Sequence, residues 1–297
     1  MEKLLSLAFD NLSSYDGPKI RKGLRQVEGL LAQICLSSTC REKEAAAAAA
    51  AAGPAPPPKH LGQLVRDPAF REFFKLQEGF ECNVALRLIG TLDRLMAKGS
   101  DGQNDLLILS ALDLIQGIML LHPPSKTLFA REQNMNLLLD LLEPYNCPAI
   151  QSATLLTLVV ALLNTPNNTR AFEALDGLLT VTSLFKSRST AREVKLKLVE
   201  FLYCYLMPES PSIPRAASSA RDSLPAMLQR SPSKLVGAFA GDDGRQSRRG
   251  TFRGVCIPIG LTLSTDDKQN LLSRHLSNVE DLVKDLRNCS PFGGVIV

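Results

Sequence analysis

PSKTLFAREQNMNLLLDLL (residues 124–142) and NNTRAFEALDGLLTVTSLF (167–185) are two versions of one pattern. Laid over each other at an offset of about 43 residues, Phe129 falls on Phe172, Met135 on Leu178 and Leu141 on Leu184. The stretch after each copy repeats as well. Leu155 falls on Leu198, Leu156 on Val199, Leu158 on Phe201 and Leu163 on Leu206. Apolar residues three and four apart make one face of a helix. A helical period of about 40–47 residues is that of armadillo and HEAT repeats. One such unit cannot bury its apolar face alone, so units stack into a solenoid that presents an extended surface to other proteins. The expected fold class is therefore all-α, an armadillo-like helical repeat solenoid.

Working outward, Asp105–Leu121 reads as a long helix, stopped by His122-Pro123-Pro124. At an offset of about 44 it matches the later helices, with Ala111 on Leu155, Leu112 on Leu156, Leu114 on Leu158 and Ile118 on Leu162. Three imperfect repeats then end near residues 121, 164 and 206. Further upstream, Asp67-Pro68 starts a helix bearing Phe70, Phe73 and Phe74, and Asn83–Met96 follows. The Asp16-Gly17-Pro18 turn starts an amphipathic helix with Ile20, Leu24, Val27, Leu31 and Ile34 on one side. The expected organisation is an N-terminal helical cap (1–36), a low-complexity Ala/Pro linker insertion (37–60), armadillo-like repeats (61–207), a disordered Ser/Arg/Pro-rich linker (208–264) and a terminal amphipathic helix (265–288). Leu272, Leu276, Val279, Val283 and Leu286 form the stripe of that last helix. That stripe is suited either to bind a partner or to dock back on the repeats; docking back is the cheaper of the two, since a lone helix of this length is marginal in water and a tethered one has a high effective concentration.

Composition agrees. The chain has 297 residues, 45% of them apolar and 5% aromatic, with no Trp, a balance that favours helices over a sheet-rich sandwich. A net charge of +4 does not imply nucleic acid. Seven cysteines, scattered and odd in number, read as reduced thiols of a cytoplasmic protein. Glu2 stands before a short apolar stretch closed by Asp10, which is not the pattern of a secretory leader. Leu106–Leu121 is short of the roughly 20 apolar residues a span needs and carries Asp113 and Gln116, so no integral membrane segment is expected.

Little in the chain points to catalysis. Cys35 and Arg41 (CLSSTCR, 35–41) have the spacing of a cysteine-dependent phosphatase loop, in which a thiolate attacks phosphorus and the Arg cradles the oxyanions. Such a loop needs glycine for close backbone approach; here there is none, Ile34 precedes the Cys, and Glu42 and Glu44 would repel phosphate. His60, His122 and His275 lie far apart, and no Cys/His spacing resembles a zinc site. No catalytic, cofactor-binding or metal-binding residue is expected, and the enzyme is the weaker alternative. A second alternative is a membrane-surface module acting through Arg245, Arg248, Arg249 and Arg253. Four candidate phosphorylation sites stand out: Thr251 after a basic pair, Ser277 after Arg274, and Ser231 and Ser290, each before a proline.

For partner binding, the last repeat helix (190–206) is the candidate. Val194, Leu198, Phe201, Leu202 and Tyr205 should face the core, leaving Glu193, Lys197 and Glu200 on an outward face. Arg188 and Arg192 stand at its entrance, suited to an acidic partner segment.

Four long runs carry a resemblance: DLLILSALDLIQGIMLLHPPSKTLF (105–129), NMNLLLDLLEP (134–144), AIQSATLLTLVVALLN (149–164) and DGLLTVTSLFKSRSTAREVKLKLVEFLY (176–203). Over about residues 61–208 the chain resembles the fungal cell division control protein 14 family, a component of the septation initiation network and unrelated to the phosphatase that shares the name. The resemblance implies an adaptor that binds a germinal-centre-type protein kinase. It implies recruitment to the spindle pole body, where the cascade triggers the contractile ring and septum. The Ala/Pro insertion is peculiar to this chain.

Overall fold

A computed structural model describes residues 1–36, 59–97, 102–209, 262–281 and 284, and every extended element among them is helical. In chain order they are α1 (Glu2–Leu12), α2 (Gly17–Cys35), α3 (Leu61–Leu64), α4 (Pro68–Glu78), α5 (Val84–Ala97), α6 (Asp105–Leu121), a 3-10 helix (Pro123–Ala130), α7 (Glu132–Asp140), α8 (Pro148–Leu162), α9 (Pro166–Ala174), α10 (Gly177–Lys186), α11 (Arg192–Leu206) and α12 (Thr265–Ser273). The Ala tract, most of the 208–264 linker, and Val283 and Leu286 lie outside the described residues.

Proline sets several starts. It stands in the first turn of α2, α4, α8 and α9, where its missing N–H would have had no helical partner. Asp67 caps α4, its carboxylate accepting from the Ala69 amide at 2.8 Å. Ends are set likewise. Pro208 forces the preceding Met207 into an extended conformation (ψ 141°), and α11 stops there.

The helices pack in sequence. α1 lies on α2, α2 on α6, α6 on α8, α8 on α11 and α11 on α12. α1 and α2 approach closely because Gly23 has no side chain. A Cβ there would lie 2.9 Å from Leu12 Cγ and 3.0 Å from the Ala8 carbonyl. One continuous core runs through all of these contacts, from Leu5 to Val279. Each leucine buried in it contributes about 1.5–3 kcal/mol by leaving water.

The two copies of the sequence pattern fold alike. The 3-10 helix, α7 and α8 correspond in order to α9, α10 and α11. Phe129 and Phe172, Met135 and Leu178, and Leu141 and Leu184 are buried pairs, as the pattern requires. Polar side chains tie the copies together. The Asn168 amide group donates to the carbonyls of Lys126 (2.8 Å) and Ala161 (2.7 Å). Gln116 joins α6 to α8 by donating to Thr157 Oγ1 at 2.9 Å.

The register of the long helices differs from the sequence expectation by one residue. In α6 and α8 the buried positions coincide at an offset of 43 (Leu107 with Ile150, Ala111 with Thr154, Leu112 with Leu155, Ile115 with Leu158). Between α8 and α11 they coincide at 44 (Ile150 with Val194, Thr154 with Leu198, Leu158 with Leu202). The expected offsets were the reverse, 44 and then 43. The slip shows at two side chains: Leu163, equated above with buried Leu206, is 42% exposed, and Leu156 departs likewise. Leu156, equated above with buried Leu112, is 46% exposed, and its true counterparts are exposed Asp113 and Glu200. The cause lies in α8, which is apolar on nearly every side; its sequence does not reveal which face goes inward.

The terminal helix is also shorter than expected. α12 ends at Ser273, and a turn at 274–278 precedes further helical residues at 279–281. The His275 carbonyl accepts from Lys186 Nζ at 2.5 Å, so it is turned toward α10. Leu272, Leu276 and Val279 are nonetheless all buried.

Candidate partner-binding surface and a buried ionic cluster

α11 presents two surfaces. Val194, Leu198, Phe201, Leu202 and Tyr205 are buried, as their spacing requires. On the outer side, Lys197 Nζ and Glu200 Oε2 are 2.7 Å apart, one turn from each other, with both side chains about half exposed. Arg192 is exposed at the first turn, and Arg188 is exposed in the preceding loop. Neither makes an ion pair among the described residues. At about 100° per residue Arg192 projects roughly 140° away from Lys197, so the four candidates form a pair and an entrance, not one stripe. Leu196, which the sequence reading left unassigned, is 57% exposed beside them.

The inner end of α11 carries what sequence reasoning missed. Arg170 of α9 pairs with Glu173 (3.0 Å) and with Glu209 (2.7 Å) through the same nitrogen, Nη2. Lys268 of α12 pairs with Glu209 at 3.2 Å, donates to the Met207 carbonyl at 3.0 Å and lies over the Tyr205 ring at 5.2 Å. The Tyr205 hydroxyl donates to Glu173 at 2.7 Å. Two cations and two carboxylates thus balance in a nearly closed space, Lys268 being only 4% exposed. Burial pushes the Glu173 carboxyl up, with the Tyr205 hydroxyl and Arg170 opposing. Burial pushes Lys268 down, with Glu209 opposing, and raises the Tyr205 hydroxyl far above its ordinary value. A cavity of about 250 Å³ adjoins the cluster, lined by Leu162, Phe201, Cys204 and Met207 among others. The members are spread over residues 170–268, and no spacing signal could have joined them; only the apolar stripe of α12 hinted at docking.

Of the other candidates, only some lie among the described residues. Cys35 ends α2, and burial pushes its thiol up, away from the thiolate a nucleophile needs, with Lys59 opposing. Arg41 lies outside the described residues, as do Arg245, Arg248, Arg249, Arg253, Thr251, Ser231 and Ser290. Ser277 is exposed, its hydroxyl donating to Asn278 Oδ1 at 3.2 Å. His122 is buried, with Nδ1 2.7 Å from Ser125 Oγ and its ring edge-on to Phe74 at 4.5 Å. Among the described residues no cluster of His, Cys, Asp or Glu has the geometry of a metal site. No described helix is long and apolar enough to cross a membrane.

The family described as "Cell division control protein 14, SIN component" matches residues 1–292. The chain belongs to this family. The match extends well beyond the 61–208 on which the resemblance was drawn. It takes in α1 and α2 at one end and the docked α12 at the other. The chain is similar to the Cell division control protein 14 of Schizosaccharomyces pombe (strain 972 / ATCC 24843). The two are 27% identical over 301 residues, covering 99% of this chain and 97% of that protein. No solved structure matches. Membership gives the chain a role in septation initiation, within cell division and cytokinesis, among the protein partners of that network. The family is the septation component and not the phosphatase of the same name.

Proposed function

We propose that the chain is a non-catalytic adaptor of the septation initiation network. It binds a germinal-centre-type protein kinase and supports its activity. In this reading it is cytoplasmic and recruited to the spindle pole body. Its two three-helix units and α6 stack as an armadillo-like solenoid, and the end of that stack meets the kinase through Arg188, Arg192, Lys197 and Glu200. The observation that carries the reading is the face of α11. It is the last long helix of the stack, its inner side is fully packed, and its outer side offers charged groups beside an exposed leucine. No partner, acidic segment or membrane is needed to complete the core beneath it.

The test is a binding titration of the full-length chain with the kinase. Arg192→Glu with Lys197→Glu should weaken association at least about tenfold, equivalent to ~1.4 kcal/mol. An unchanged affinity in a double variant with the parent's melting temperature overturns the α11 assignment.

A further inference from the structure

The buried cluster divides into a receptor and an occupant. Arg170, Glu173, Tyr205, Met207 and Glu209 belong to the helical stack, whereas Lys268 arrives on residues 262–281, separated from Glu209 in sequence by the 52 residues 210–261. Without Lys268, the receptor side holds two carboxylates against one guanidinium. It lacks one positive charge, at a place where a cation also meets the Met207 carbonyl and the face of Tyr205. Four residues on from Lys268, Leu272 is fully buried, and Leu276 and Val279 continue the apolar contact.

The entry to the site needs no particular side chain. The Glu209 amide donates to the Leu263 carbonyl at 3.2 Å, and the Leu263 amide donates to Glu209 Oε2 at 2.9 Å. Any extended segment offers those two backbone groups. Ser264 then caps α12 through a reciprocal pair of hydrogen bonds with Asp267. A helix of nine residues does not hold in water by itself, so α12 is ordered by what it docks on.

We propose that the surface formed by α9, α11 and Met207–Glu209 is a docking site for a cation-headed amphipathic segment. Its recognition pattern is an extended entry, a lysine, then aliphatic side chains four and eight residues on. Residues 262–281 occupy it in cis and act as a tethered competitor. The occupant in trans is a segment of a partner protein with the same chemistry, which the missing positive charge and the apolar patch select. Uncovering the site exposes the carboxylates of Glu173 and Glu209 together with the side of α11. This inference does not rest on the kinase assignment, since none of Arg188, Arg192, Lys197 and Glu200 belongs to the cluster.

The test uses full-length protein and a fluorescein-labelled synthetic peptide of residues 262–281. Lys268→Glu with Leu272→Asp, made in the full chain, should undock the native segment. That variant is expected to bind the peptide at least ten times more tightly than the parent does. A peptide carrying Lys268→Gln should bind the variant at least ten times more weakly than the native peptide. Equal binding by parent and variant, or no binding by a variant that keeps the parent's circular dichroism and melting transition, overturns the proposal. Equal binding of the two peptides overturns the cation requirement. If the variant fails to fold, the 15N-labelled parent carries the test. Excess unlabelled peptide should then speed hydrogen exchange of residues 265–273, and unchanged exchange at saturating peptide overturns the displacement.

Discussion

Leu155 and Leu156 are adjacent in α8, yet Leu155 is 1% exposed and Leu156 46%. The step between them is about 100° around the helix, enough to pass from core to surface. An aspartate at position 155 or 158 would be an unpaired charge in the core, at a cost of several kcal/mol. Leu158→Asp should therefore abolish the cooperative melting transition. Leu156→Asp should shift stability by no more than about 0.5 kcal/mol, as at other surface sites. Thermal unfolding followed by circular dichroism compares the two directly; equal loss in both would mean that the repeat register is again misplaced.

Lys59 closes the insertion. Its amide donates to the Cys35 carbonyl at 2.8 Å, and its ammonium group reaches the Ile34 carbonyl at 2.8 Å and the Asp67 carboxylate. Cys35 and Lys59, which flank residues 37–58 in sequence, are thus held together by contacts that use none of those residues. Loop closure entropy changes only slowly with length. Deleting residues 45–58 should leave the melting temperature within a few degrees of the parent and kinase binding intact. A titration showing lost binding would make the tract a functional element.

Gly177 sets the spacing of α9 and α10. A Cβ there would lie 2.3 Å from the Phe172 ring, which is completely buried and has no free direction in which to move. Gly177→Ala should destabilise the chain by about 1–3 kcal/mol, the usual cost of overpacking. Denaturant unfolding measures this. Phe172→Leu in the same background should recover part of the loss.

His122 gives stability a pH dependence of known sign. Burial holds its imidazole below the ordinary value, with Glu78 opposing. The unfolded chain therefore takes up the proton first. Stability from this group is complete above the unfolded pKa of about 6.5 and is lost as pH falls below it. The parent should lose more stability than His122→Asn between pH 7.5 and 5.5 in urea titrations. Parallel curves would show that the ring does not resist protonation.

Reversal of charge at Arg192 and Lys197 should leave stability nearly unchanged, because the Lys197–Glu200 pair is solvent-exposed and such pairs contribute little. Melting curves of the double variant check this, and they are the control for the kinase titration.

Much of this protein was legible in its sequence. Helix identity followed from spacing, and helix starts from prolines and Asp67, because both act over a few residues. The pairing of Phe129 with Phe172 and of Met135 with Leu178 followed from the period, because each repeat buries the same stripe. The inner face of α11 was readable since polar residues interrupt its apolar ones. The tertiary structure alone decided the rest. α8 is apolar almost all round, so only its neighbours determine that Leu158 goes inward and Leu156 outward. The ionic cluster joins Arg170, Glu209 and Lys268 from separate parts of the chain. A charge shows its sign in the sequence, but its burial and its partner depend on which helices meet.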